Sequence, residues 1–153
     1  KLIALLPMKA NSERVKGKNF RPFANKPLFR WMLDTLLSMS EIEKVVINTD
    51  AREILEANGL EESNRVEIRM RKPELCGDTV SMNKIIEDDI NAIESEAYIM
   101  THTTNPLLSA GTIRVALEEY QAGQMGNKQF DSLFSVNKFQ TRFFQPCHNL
   151  VLG

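Results

Sequence analysis

The sequence predicts an α/β fold, a mainly parallel sheet with helices on both faces. Three observations carry this. Short apolar runs rich in β-branched residues alternate along the chain with segments of helical periodicity, the order that produces parallel strands joined by crossover helices. The 153 residues, 42% hydrophobic and 25% charged, suffice for one domain with a buried core and lie outside disordered compositions. The polar loops follow the strands, and in such sheets the carboxyl ends of the strands form the ligand-binding rim.

The elements follow in order. Leu2–Leu6 reads as a buried strand, and Pro7–Asn25 as a long polar loop. Pro27 suits a first helical position before the apolar face of Leu28, Trp31, Met32, Thr35, Leu36 and Met39. Val45–Asn48 is a second strand; Thr49 and Asp50 then open a short helix over Ile54, Leu55 and Ala57 that ends near Gly59. Val66–Met70 alternates as a third strand, and the loop Arg71–Asp78 follows. A helix is expected from about Val80 to Ile93, with Ile85, Ile86, Ile90 and Ile93 facing inward. Ala97–Thr101 reads as a fourth strand, Thr103–Ser109 as a loop, and Ala110–Tyr120 as a helix ending before Gly123. Ser132–Val136 is expected as a fifth strand, and Gln140–Phe144 as a strand or extended arm.

Several function classes drop out. Leu2–Leu6 is too short for a membrane span or a signal-peptide core. Two cysteines, Cys76 and Cys147, make no disulfide framework, and two histidines leave little for a zinc site; a reduced cytoplasmic setting is expected. The net charge of −1 argues against nucleic-acid or membrane binding. Its distribution is more informative. Seven cations and only Glu13 as anion lie between Lys9 and Arg30, a local +6 against −7 for the other 131 residues. A compact positive segment on an acidic body is either a site for a small polyanion or a basic surface loop.

The loop Pro7–Asn19 carries Lys9, Asn11, Ser12, Arg14, Lys16, Lys18 and Asn19, the point charges, planar fork and polar groups that a triphosphate needs. Charge-assisted hydrogen bonds contribute roughly 1.5–3 kcal/mol each, so three or four support useful affinity. The loop has neither Gly-x-x-x-x-Gly-Lys-Ser/Thr nor Gly-x-Gly-x-x-Gly. The segments Pro7-Met8-Lys9-Ala10-Asn11-Ser12-Glu13-Arg14, Lys18-Asn19 and Lys26-Pro27-Leu28 come first. Asn48-Thr49-Asp50, Arg71-Lys72-Pro73-Glu74-Leu75-Cys76-Gly77-Asp78-Thr79, Thr103-Thr104-Asn105-Pro106-Leu107 and Asp131–Val136 follow. This ordered set resembles the acylneuraminate cytidylyltransferases over roughly residues 2–140.

The resemblance implies a Rossmann-like nucleotidyltransferase fold and transfer of CMP from CTP to an acidic, sialic-acid-like 2-keto sugar, with magnesium and release of pyrophosphate. It places Lys9 and Lys18 as catalytic cations, with Lys9 where the family has a phosphate-contacting arginine. Asn11, Ser12, Arg14 and Asn19 then line the nucleotide; Arg71, Asp78 and Ser81 belong to the cytosine pocket. His102, Thr104 and Asn105 match the sugar-binding segment, with His102 where glutamine is common, and His102 is placed either to orient the sugar or to act as base. Asp50 is the implied metal contact, although Asp50 and Asp78 also stand where helix caps would. In the family the magnesium-binding aspartates and a dimerisation arm follow the matched stretch. The resemblance therefore implies one nucleotidyltransferase domain over residues 1–153, truncated relative to the family, with a homodimer for the full-length relatives; Lys1 in place of Met fits an incomplete gene product. The alternative is a non-catalytic nucleotide-binding domain or fragment.

Overall fold

The computed structural model describes residues 1–10, 15–77, 79–125 and 130–136. Four parallel strands form the central sheet: β1 (Leu2–Leu5), β4 (Lys44–Thr49), β5 (Val66–Met70) and β6 (Ala97–Met100), in the order β5-β4-β1-β6. Leu5 stands opposite Val46 on one side and Met100 on the other, so β1 is central. Its fully buried Ile3, Ala4 and Leu5 are what a strand enclosed on both faces requires. A two-stranded antiparallel hairpin, β2 (Pro22–Phe23) and β3 (Lys26–Pro27), interrupts the stretch expected as plain loop. Lys26 secures it, lying over the Trp31 ring and donating to Asp34 Oδ2 at 2.6 Å.

The helices are α1 (Leu28–Leu37), α2 (Arg52–Ala57), α3 (Met82–Ala92) and α4 (Ala110–Met125). The chain steps outward from β1 to β4 to β5, then returns to β6 on the opposite side of β1. Because parallel crossovers are right-handed, that reversal puts α1 and α2 on one face and α3 on the other. Ile86 and Ile93 accordingly pack on Ile3, Leu5 and Val46. The gap between β1 and β6 is the point where the strand order reverses, and it places the site.

Four expectations are corrected. Pro27 is the N-cap of α1 rather than its first residue; its φ of −55° still leads directly into the helix. In α3 the inward stripe runs through Ile85 and Asp89, whereas Ile90 is 41% exposed. Helix α4 continues through Gly123 to Met125, since one glycine costs a helix only about 1 kcal/mol. Residues 132–136 form no strand: Leu133, Phe134 and Val136 are exposed, and no described strand pairs with them. Residues 140–144 lie outside the described residues.

The chain divides into two compact units, Lys1–Val115 and Ala116–Gly153. Sheet, α1 to α3 and the site described below belong to the first. Among the described residues, no helix is long and apolar enough to cross a membrane.

Candidate nucleotide site

At the carboxyl ends of β1, β5 and β6 the first unit opens into a cleft of about 170 Å³. Pro7, Met8 and Lys9 continue β1 into it, and Arg71 and Gly77 follow β5. His102, Thr103 and Thr104 follow β6; Val80, Met82 and Ile85, at the start of α3, supply an apolar surface. Lys18 and Asn19 enter on a 3₁₀ turn, Lys18–Phe20, whose N-cap Gly17 has φ of 62°, a left-handed conformation that glycine takes without strain. The volume is below the ~300–1,000 Å³ of pockets that enclose a whole drug-sized ligand.

Two buried side chains tie its walls together. Asn19, 6% exposed, donates from Nδ2 to the Lys9 carbonyl at 2.8 Å and accepts from Thr103 Oγ1 at 2.7 Å, bridging the loops after β1 and β6. Arg71, 8% exposed, donates from Nε to Asn48 Oδ1 at 2.9 Å and from Nη2 to the carbonyls of Asn48 at 2.9 Å and Met8 at 3.1 Å. Its planar fork thus fastens the ends of β1 and β4 to that of β5. Among the described residues no hydrogen bond engages Nη1, and Arg71 lines the cleft. Lys18 also lines the cleft and forms no ion pair among the described residues.

Of the residues singled out from the sequence, Lys9, Lys18, Asn19, Arg71, His102 and Thr104 meet at this cleft. Ser81 and Asn105 do not line it. Ser81 is the N-cap of α3, accepting from the Asn83 N–H at 3.3 Å, and it takes the capping place considered for Asp78. The Asn105 N–H donates to the His102 carbonyl at 3.1 Å and shapes the turn below His102. Asn11, Ser12, Arg14 and Asp78 lie outside the described residues.

Asp50 is not the cap of α2, where Ala51 is the N-cap and its N–H donates to Thr49 Oγ1. Its Oδ1 instead accepts from the Ala10 N–H at 2.7 Å and fastens the loop after β1 to the end of β4. Among the described residues no group of three or more His, Cys, Asp or Glu converges to hold a metal ion. These residues alone therefore do not fit a protein-built magnesium cage; Mg²⁺ in such sites is held by one or two carboxylates together with substrate phosphates.

Sequence reasoning assigned no role to Asn48 or Thr103. Asn48 carried a signal: an amide following Val45-Val46-Ile47 is fully buried if the strand is, and so needs internal partners. Thr103 carried none, since its role depends on a residue 84 positions away.

A family model described as "Cytidylyltransferase" matches residues 3–152. Pseudaminic acid cytidylyltransferase of Campylobacter jejuni subsp. jejuni serotype O:2 is 26% identical over 145 residues, covering 92% of this chain and 60% of that protein. N-acylneuraminate cytidylyltransferase of Escherichia coli O18:K1:H7 is 25% identical over 122 residues, 79% of this chain and 28% of that protein. The chain thus spans about 60% or less of these relatives. Among solved structures, CMP:2-keto-3-deoxy-manno-octonic acid synthetase complexed with CTP superposes with a TM-score of 0.65 at 17% identity, over 79% of this chain and 47% of that one. A cytidylyltransferase from Leptospira borgpetersenii gives 0.60 at 21% identity, over 82% and 50%. These two likenesses establish the fold.

Proposed function

The chain belongs to the cytidylyltransferase family, and we propose that its cleft takes CTP for transfer of CMP to an acidic, sialic-acid-like 2-keto sugar, with release of pyrophosphate. The observation that carries this reading is the meeting of Lys9, Lys18, Arg71, His102 and Thr104 at the carboxyl ends of β1, β5 and β6. Relatives named for pseudaminic acid and N-acylneuraminate support an acidic nine-carbon sugar as acceptor. In this reading a sugar hydroxyl attacks the α-phosphate and pyrophosphate leaves in line. Such transfers depend on positioning and on neutralising charge on the phosphates. Lys9 and Lys18 supply positive charge beside the cleft mouth, with Asn11, Ser12 and Arg14 completing the triphosphate contacts. Arg71 and Asp78 serve the cytosine side, where Asn19 braces the nucleotide wall and Ser81 contributes indirectly by capping α3, whose start lines the cleft. His102 and Thr104 orient the sugar, and Asn105 supports them by shaping the turn at His102. Magnesium would be held mainly by the triphosphate, with Asp50 as the protein carboxylate that could contact it, and would supply neutralising charge. A cytoplasmic setting, and a homodimer for the full-length protein, complete the proposal.

CTP and UTP differ by an amine donor in place of a carbonyl acceptor, so a pocket built for one leaves a polar group unpaired with the other. That is worth about 1–3 kcal/mol, or roughly five- to 150-fold in affinity. Calorimetric titration with CTP, UTP, ATP and GTP, each with magnesium, is expected to show that preference for CTP. Flat traces for all four overturn the proposal. CTP binding without pyrophosphate release in the presence of acidic sugars identifies a nucleotide-binding domain instead.

A further inference from the structure

Behind the cleft wall a chain of polar contacts runs inward from Arg71, and its further members Asn48, Asp89 and Arg69 do not line the cleft. Asn48, fully buried, uses both ends of its amide: Oδ1 accepts from Arg71 Nε at 2.9 Å, and Nδ2 donates to Asp89 Oδ1 at 2.8 Å. Asp89 sits in α3 and is 1% exposed, and its second contact is Arg69 Nη1 at 3.1 Å. Arg69 is in turn held by Asp88, whose carboxylate accepts from Nη2 at 3.1 Å and also pairs with Lys72. A carboxylate on the inward stripe of a helix is costly unless its partners are fixed. Here burial pushes the Asp89 carboxyl above its ordinary range, while the Asn48 amide and the Arg69 guanidinium pull it back.

The chemistry of the amide gives this arrangement a direction. A carboxylate offers acceptors only, so it draws the NH₂ end of Asn48 toward α3 and turns the oxygen toward Arg71. Without an acceptor at position 89 the amide loses that bias. Its flipped form sets NH₂ against the Arg71 Nε–H, two donors face to face, and the guanidinium must move.

We propose that Asp89 is a positioning residue for the nucleotide site: by orienting the Asn48 amide, it holds the Arg71 guanidinium in the cleft wall. The inference rests on the reading above that Arg71 faces the bound nucleotide, and the experiment separates the two. CTP is titrated with magnesium into the wild type, Arg71→Ala, Asp89→Leu, Asp89→Asn and the Asp89→Leu/Arg71→Ala double variant. Circular dichroism verifies the fold of each. Asp89→Leu is expected to weaken CTP binding about five- to thirtyfold, the equivalent of one or two kcal/mol. Asp89→Asn keeps an acceptor for Asn48 and is expected to stay within about threefold of wild type. In the Arg71→Ala background, Asp89→Leu is expected to add nothing, which a general packing defect cannot imitate.

Wild-type affinity in Asp89→Leu, or an equal loss in both backgrounds, overturns the positioning role and leaves the nucleotide reading standing. Unchanged CTP affinity in Arg71→Ala removes Arg71 from the nucleotide site, and the positioning role falls with it. Should Asp89→Leu fail to fold, Asp89→Ser, whose hydroxyl is one bond shorter, replaces it under the same criteria.

Discussion

Arg71 and Lys18 bring positive charge to the same cleft by opposite means. Arg71 is buried, with Nε and Nη2 committed to three acceptors on Asn48 and Met8. Lys18 rides on a 3₁₀ turn after a left-handed glycine, and among the described residues its ammonium forms no ion pair. In the proposed scheme, the wall that would recognise shape is built into the sheet, whereas the cation that would meet a flexible, highly charged ligand stands on a short turn. Substitution on one side should therefore be read in stability, and on the other in turnover.

Four experiments test that contrast, in falling order of effect. Lys18→Ala is expected to lower turnover with CTP and acceptor sugar by about 10²–10³-fold, the scale of losing one donor at developing charge, with an unchanged melting temperature. Near-normal turnover ends the role given to Lys18. Arg71→Ala leaves the Asn48 and Met8 acceptors unpaired and is expected to cost about 2–4 kcal/mol in denaturant unfolding. Arg71→Lys should recover little of it, because an ammonium cannot reproduce the fork. Full recovery by lysine would mean that charge, not geometry, holds the wall.

Thr103→Val removes the hydroxyl that satisfies Asn19 Oδ1; it should cost about 1–2 kcal/mol, read from the urea midpoint at constant slope. The smallest effect concerns pH. Burial raises the Asp89 carboxyl above its ordinary 3.8, against the opposing pull of Asn48, Arg69 and Arg71 and with the help of Asp88. The folded chain therefore keeps that proton in a window where the unfolded chain has lost it. The resulting stability is complete below about 3.8 and is lost as pH rises through the raised folded value. Asp89→Asn cannot titrate, so the melting temperature of wild type should fall relative to it between pH 3.5 and 7. A gap that stays constant, or moves the other way, shows that burial does not raise the Asp89 carboxyl.

Where contacts are local, the sequence was a sufficient guide. The bounds of β5 follow from its alternation, and the apolar runs Leu2–Leu6 and Val45–Asn48 place the strands Leu2–Leu5 and Lys44–Thr49 to within one residue at each end. Convergence of the loops after β1, β5 and β6 also follows from the rule that places ligands at strand carboxyl ends. The misplacement within α3 has a physical cause. Helical periodicity was counted over apolar residues alone, which put Ile90 inside, although Asp89 lies four residues after buried Ile85 and occupies that position. Whether a carboxylate can sit there depends on Asn48 and Arg69, which pattern analysis of α3 never sees. Residues 132–136 mislead the opposite way, with a strand composition but no described partner.

The strand order sets a timetable as well as a shape. As a chain emerges from the ribosome, β1 can first pair with β4, about forty residues behind it, and that pair with β5. The other edge of β1 stays open until β6 arrives, with Leu5 waiting for Met100, and the Asn19–Thr103 bond closes only after that. The cleft is thus completed only after β1, β4 and β5 have emerged, once the loop following β6 is in place. Until then the nascent chain carries an apolar strand with one unsatisfied edge, the kind of surface that folding helpers bind and that other unfinished chains can capture.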